Sequence, residues 1–237
     1  MNSEEKFSNS TKRRKGIKIV GMMRSFIEDG FDEIEDYHQF MKEAIKREQE
    51  STSRRLEEGA SKLETEEREE YYEFFAEDYQ KIGGVFEKLA LDSFIVMLYA
   101  RLETGMDTLC NAIRRDKQTL EGVKINLRYS DLRGNGYLDQ ARVYMEKVLG
   151  VDLDLGNNCE WPEIIALRTL RNAIVHENGW LQTKDATLKK LIKRGLVEIK
   201  QPEEEKNGQI SGRVKVKYEY LDHILPHLRK FFKDIKV

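Results

Sequence analysis

Apolar residues recur along most of this chain at intervals of three and four, the period of a helix with one buried face. Met23, Phe26, Ile27, Phe31, Ile34, Phe40, Met41 and Ile45 form a first stripe. The stretch 47–70 is almost all charge, so this helix is expected to run into solvent, turn, and start the next. Tyr71, Phe75, Tyr79 and Ile82 mark a second stripe, which Gly83-Gly84 should break or kink. Over 85–116 two arcs are apolar. Phe86, Leu89, Val96, Met97 and Ala100 fill one; Leu91, Ile95, Leu98, Leu102, Met106, Leu109 and Ile113 fill the other. A helix apolar on two sides is expected to be central and buried.

Shorter helical patterns follow over about 137–149, 161–177 and 184–194, the last stopped by Gly195. "LVEIK" and "RVKVKYEY" alternate apolar and polar residues around a polar turn, which predicts a two-stranded hairpin over about 196–218. "LDHILPHLRKFFKDI" closes the chain as a helix with Pro226 inside it. The expected fold is therefore mainly α: a helical bundle with a long N-terminal helical arm and a small C-terminal β-hairpin. The arm takes 17–70 and the main helical domain 71–237. Residues 1–16, with Lys12-Arg13-Arg14-Lys15, read as a disordered basic tail.

Composition excludes several classes of function. Charged residues make up 35% of the chain, above the ~25% usual in globular proteins, which suits long solvated helices. The net charge is -2, so contact with nucleic acid would need a local basic patch. No apolar run is long enough for a membrane span. The polar N-terminus does not read as a secretory signal, and the cytoplasm is the expected location. Cys110 and Cys159 lie far apart and read as structural thiols. No cluster of histidines, cysteines or carboxylates has metal-ligand spacing, and "RGNG" (133–136) reads as a turn rather than a phosphate loop. Neither a metal nor a cofactor is expected.

The chemistry concentrates in "ALRTLRNAIVHENG", residues 166–179. Pro162 starts this helix and Asn178-Gly179 ends it. At ~100° per residue, Ile164, Leu167, Leu170, Ile174 and Val175 share one arc, and Arg171 falls inside it. Asn172 and His176 stack just beyond its edge, with Arg168 close by. Arg171 and His176 are ~140° apart around the axis. To act together, the arginine must reach across, or a second copy of the helix must supply the partner. A two-fold dimer of this helix would gather two arginines, two asparagines and two histidines into a cationic cleft suited to a phosphodiester. The plainer reading pairs Arg171 with Glu103 or Asp107, one turn apart on the central helix, and makes His176 a dipole-complementing helix end.

"RNAIVH" resembles the signature of the HEPN superfamily (higher eukaryotes and prokaryotes nucleotide-binding): arginine, a polar residue that is often asparagine, three variable residues, histidine. An acidic residue on the central helix, Glu103 in "YARLETGMDTLC", a short helix before the motif, and "ENG" after it fit the same pattern. The resemblance covers roughly 70–235 and is specific only at Arg171, Asn172 and His176. It implies a helical bundle of the HEPN type and, in catalytic members, a metal-independent endoribonuclease that works as a homodimer through the motif helix. Arg171 would then hold the phosphate, His176 act as acid or base, Asn172 orient, and Glu103 fix Arg171, with Asp107 and Arg168 in support. A toxin with an antitoxin partner, or an anti-phage effector with a defence partner, would suit it. One subgroup carries a tyrosine two residues after the histidine as a modification site; here that position is Asn178. Other members are catalytically silent modules that bind nucleotides or proteins, for which the charged arm 46–70 offers a surface. A purely helical assembly protein with Arg171 in a structural ion pair is the third reading.

Overall fold

In the computed structural model, residues 3–134, 136–153, 160–202 and 208–235 are described, with side chains from residue 19 onward and without those of 120 and 121. In chain order the elements are α1 (Ser3–Ala60), α2 (Thr65–Gln80), α3 (Glu87–Glu121), α4 (Tyr137–Val143), α5 (Glu160–His176), β1 (Trp180–Thr183), α6 (Ala186–Lys193), β2 (Val197–Lys200), β3 (Ile210–Val216) and α7 (Tyr218–Asp234). The protein is mainly α with a small antiparallel sheet near its C-terminus. The tail expected over residues 1–16 lies outside the part of α1 whose side chains are described, and Cys159 also lies outside the described residues.

The charged stretch after residue 47 behaves as its composition demands. α1 continues to Ala60, a turn follows, and α2 starts at Thr65, where the Glu67 carboxylate accepts the Glu64 N–H at 3.4 Å. The glycine pair does not break the next helix. Residues Lys81–Phe86 form a wider π-turn, which carries α2 directly into α3.

The chain forms two compact units, and α1, α3 and α5 contribute to each. The first comprises 1–32, 98–168 and 221–237. In it Leu98, Leu102, Met106, Leu109 and Ile113 of α3 are fully buried, with Ile27 and Phe31 of α1, Leu138 and Ala141 of α4, Ile164 and Leu167 of α5, and Leu228 and Phe231 of α7. Phe31 and Phe232 meet at a tilt of 41° with ring centroids 6.0 Å apart. At the rim, Arg229 donates to Glu28 (2.7 Å) and Asp32 (2.5 Å). Cys110 is buried against α4, its thiol 3.9 Å from the Ala141 carbonyl.

The second unit comprises 33–97 and 169–220. His38 is buried there, edge-on to Phe94 at 5.0 Å. Its sheet corrects one expectation. β2 and β3 pair as foreseen, but β1 joins them, giving the order β1-β3-β2. Trp180 lies opposite Arg213, and Val197 opposite Val216. Gly212 sits at φ 152°, where a Cβ would lie 2.4 Å from the Ile199 side chain, so the central strand needs a residue without one. The terminal "YEY" leaves the strand and opens α7.

α3 departs from expectation on one side only. The arc from Leu91 to Ile113 is buried along its whole length, but Phe86 (53%) and Leu89 (56%) are exposed and Ala100 faces solvent. Val96 and Met97 between them are half-buried, so this arc is only partly covered and is not a second core contact.

Mid-helix Gly105 follows from close packing within the first unit. A Cβ there would lie 2.7 Å from Phe232 Cζ and 3.3 Å from Ile27 Cγ2. Gly105→Ala sets an overpacking cost of ~1–3 kcal/mol against ~1 kcal/mol of better helix propensity. A net loss of about 1 kcal/mol is expected, read as a lower urea midpoint at unchanged slope.

Candidate functional site

The last two turns of α5 carry the motif, within the second unit. Leu170 and Ala173 are buried and hold one face down. The helix stops because Asn178 (φ 51°) and Gly179 (φ 79°) turn the backbone left-handed. The Gly179 N–H reaches back to the Ala173 carbonyl at 2.8 Å, and the Gly179 carbonyl accepts the Val214 N–H at 2.8 Å. The motif helix is thereby tied to the central strand of the sheet immediately after His176.

The apolar arc of α5 is narrower than its sequence suggests. Ile164, Leu167 and Leu170 are buried, but Ile174 is half-buried and Val175 is 45% exposed. Arg171, expected inside the arc, is half-buried at its edge, while Asn172 and His176 are exposed. The reason is geometric: the core contacts of this helix end near Ala173, so the final turn stands clear.

On this open face the three motif residues meet. Arg171 Nη1 lies 3.0 Å from Asn172 Oδ1 and 2.9 Å from His176 Nε2. The long guanidinium spans the angle that separates the two positions around the axis. Guanidinium can only donate, so His176 Nε2 is the acceptor, and the neutral ring carries its proton on Nδ1. One nitrogen of Arg171 thus fixes the orientation of both neighbours.

The other expected residues lie in the first unit. Arg168 forms an ion pair with Asp139 of α4 at 2.9 Å. Glu103 is half-buried on α3. Asp107 accepts from Asn111 at 2.9 Å and lines a polar cleft of about 320 Å³ with Arg114, Arg128, Tyr129 and Tyr144. Beside it, burial holds the Tyr137 phenol well above its ordinary pKa, aided by Tyr129 and the Asp107 charge.

Spacing along the chain hid a further group. Glu163, His223 and His227 come together although sixty residues separate the glutamate from the first histidine. The available signal was H-x-x-x-H in "HILPH", two histidines one turn apart on α7, which pairwise distance to other ligands in sequence does not flag.

No family model matches the chain, and no curated protein and no solved structure is detectably similar to it. Among the described residues, no helix is long and apolar enough to cross a membrane.

Two outcomes check the motif geometry. Long-range proton–nitrogen spectra should show His176 protonated at Nδ1, and Arg171→Ala should release the ring toward the Nε2–H tautomer. Asn172→Ala, at an exposed helical position, should change stability by no more than ~0.5 kcal/mol.

Proposed function

We propose that this protein is a metal-independent endoribonuclease of the HEPN type, with Arg171, Asn172 and His176 as its catalytic residues. The observation that carries the reading is the Arg171 guanidinium, held within hydrogen-bond distance of Asn172 and His176 on a solvent-open helix end. A guanidinium, an imidazole and an amide gathered there are what a bound phosphodiester needs: charge, proton transfer and orientation.

RNA brings its own nucleophile. His176 Nε2, already an acceptor, takes the proton of the 2′-hydroxyl while the 2′-oxygen bonds to phosphorus. The bond to the 5′-oxygen breaks, and that oxygen takes a proton from the protonated His176 of a second copy. Products are a 2′,3′-cyclic phosphate and a 5′-hydroxyl. Arg171 exchanges its contacts with Asn172 and His176 for phosphate oxygens, which frees Nε2 as the charge on the phosphate develops. One chain offers one such histidine, so acid and base require a homodimer through α5. Val175, 45% exposed in the last turn beside His176, is an apolar element for that interface. A toxin restrained by an antitoxin, or an anti-phage effector, is the biological setting that suits such an activity.

A catalytically silent nucleotide-binding module is the second reading. It is favoured by the polar cleft, where Arg114 and Arg128 supply charge and Tyr129 a ring for stacking.

Product analysis separates the two. Purified protein should cut RNA in the presence of chelator, leave DNA intact, and leave cyclic phosphate ends. A single 2′-deoxy substitution 5′ to the scissile bond should stop the cut there. His176→Ala should lower the rate at least ~10²-fold, the low end for loss of a general acid or base, with the fold retained. Full activity in that variant, or 3′-hydroxyl ends, would overturn the assignment and leave nucleotide binding as the function to test.

A further inference from the structure

α5 begins, and α7 passes, through a second group of ionisable side chains, all within the first unit. Glu160 and Glu163 stand in the first turn of α5. His223 and His227 stand one turn apart on α7 and so share a face. One donor atom from each of Glu163, His223 and His227 lies within 4.8 Å of the other two. His223 Nε2 is 3.2 Å from Glu163 Oε2. A tetrahedral metal with bonds of ~2.0–2.2 Å sets neighbouring donor atoms about 3.3 Å apart. The two imidazoles meet edge to face with centroids 4.7 Å apart.

Glu160 adds an independent observation. It is 1% exposed, and its carboxylate binds His227 Nδ1. Its other oxygen takes Lys230 Nζ at 3.0 Å. A carboxylate on Nδ1 fixes the ring tautomer, places the lone pair on Nε2, and makes that nitrogen a stronger ligand, as in carboxylate–histidine–metal arrangements. A buried carboxylate also demands compensating positive charge. Lys230 brings one charge but shares it with Asp234 at 2.6 Å, and a divalent cation on His227 would add positive charge through the ring.

We propose that Glu163, His223 and His227 form a binding site for a divalent transition metal, with Glu160 as the residue that orients His227. Zinc fits this donor set best: two imidazoles and a carboxylate, with a fourth position left for water. A hard cation such as magnesium would call for oxygen donors instead. The ligands come from two helices, so the metal clamps the start of α5 to the middle of α7. His223 and His227 are partly open to solvent, with side-chain exposures of 13% and 28%, which leaves a route of entry. The proposal is independent of the ribonuclease reading, whose residues occupy the other end of α5.

The test uses the full chain carrying Cys159→Ser, which removes a competing thiol; Cys110 is buried. Metal-stripped protein is titrated with Co²⁺ and then with Zn²⁺. One Co²⁺ per chain is expected, with the intense visible absorption of four-coordinate cobalt, displaced by zinc. The melting temperature should climb with free zinc concentration. The double variant His223→Ala/His227→Ala should lose stoichiometric binding, and Glu160→Gln should weaken it ~10–100-fold, as loss of an orienting partner does. Equal cobalt binding by wild type and a folded double variant, or only the faint absorption of six-coordinate cobalt, would overturn the site and leave a histidine–carboxylate hydrogen-bond cluster. Should the double variant fail to fold, X-ray absorption at the zinc edge of the wild type decides. Two imidazoles in the coordination shell support the proposal, and none refutes it.

Discussion

Seven side chains on one face of α3, from Leu91 through Ile113, are each at most 1% exposed, and the fold is organised around keeping them dry. Each such burial stabilises by about 1.5–3 kcal/mol relative to exposure, before ordering costs are met. Leu91 and Ile95 serve the second unit, and the remaining five serve the first. The seam leaves little room for choice nearby. Gly105 is a glycine because Phe232 and Ile27 occupy the space of its Cβ. Phe94, on the same helix, packs on His38 and Tyr37. Polar chemistry is accordingly displaced to helix ends and rims, where the seam makes no demand.

That displacement accounts for where the motif residues stand. Burial on α5 reaches Ala173 and then stops, so Arg171 can lie across the final turn rather than pack beneath it. The left-handed pair Asn178-Gly179 ends the helix, and the bond from Val214 to the Gly179 carbonyl secures that end to the sheet. A helix terminus that would otherwise fray is thus held while its side chains remain in water. The polar groups of this end therefore stand on a backbone that is held in place.

Periodicity made the helices legible, including the long charged extension of α1 and the stop at Gly195, because a 3.6-residue repeat of apolar positions is a direct imprint of one buried face. It could not show how many faces meet a partner, so the partly covered arc with Phe86 and Leu89 was indistinguishable from a buried one. β1 left no imprint for a reason other than length, since β2 is equally short: it follows the helix-ending turn directly and has no neighbouring strand in sequence to make a hairpin with, its partner β3 beginning thirty residues later. Arg171, Asn172 and His176 were visible as a spacing, yet their mutual contact depends on the reach of one arginine side chain. The cluster of Glu163, His223 and His227 was invisible for a different reason. Its members meet only once α5 and α7 have folded together in the first unit.

Cys110 shows how the same tight packing governs reactivity over time. Burial pushes its thiol up to about 12, reinforced by the nearby Asp107 charge. At neutral pH its thiolate is far scarcer than that of an ordinary cysteine. The native thiol is therefore silent toward alkylating reagents, and its modification is limited by how often α3 and α4 part locally. In a chain carrying Cys159→Ser, the rate at which Cys110 is labelled becomes a clock for the opening of the first unit, read by mass and without any introduced probe.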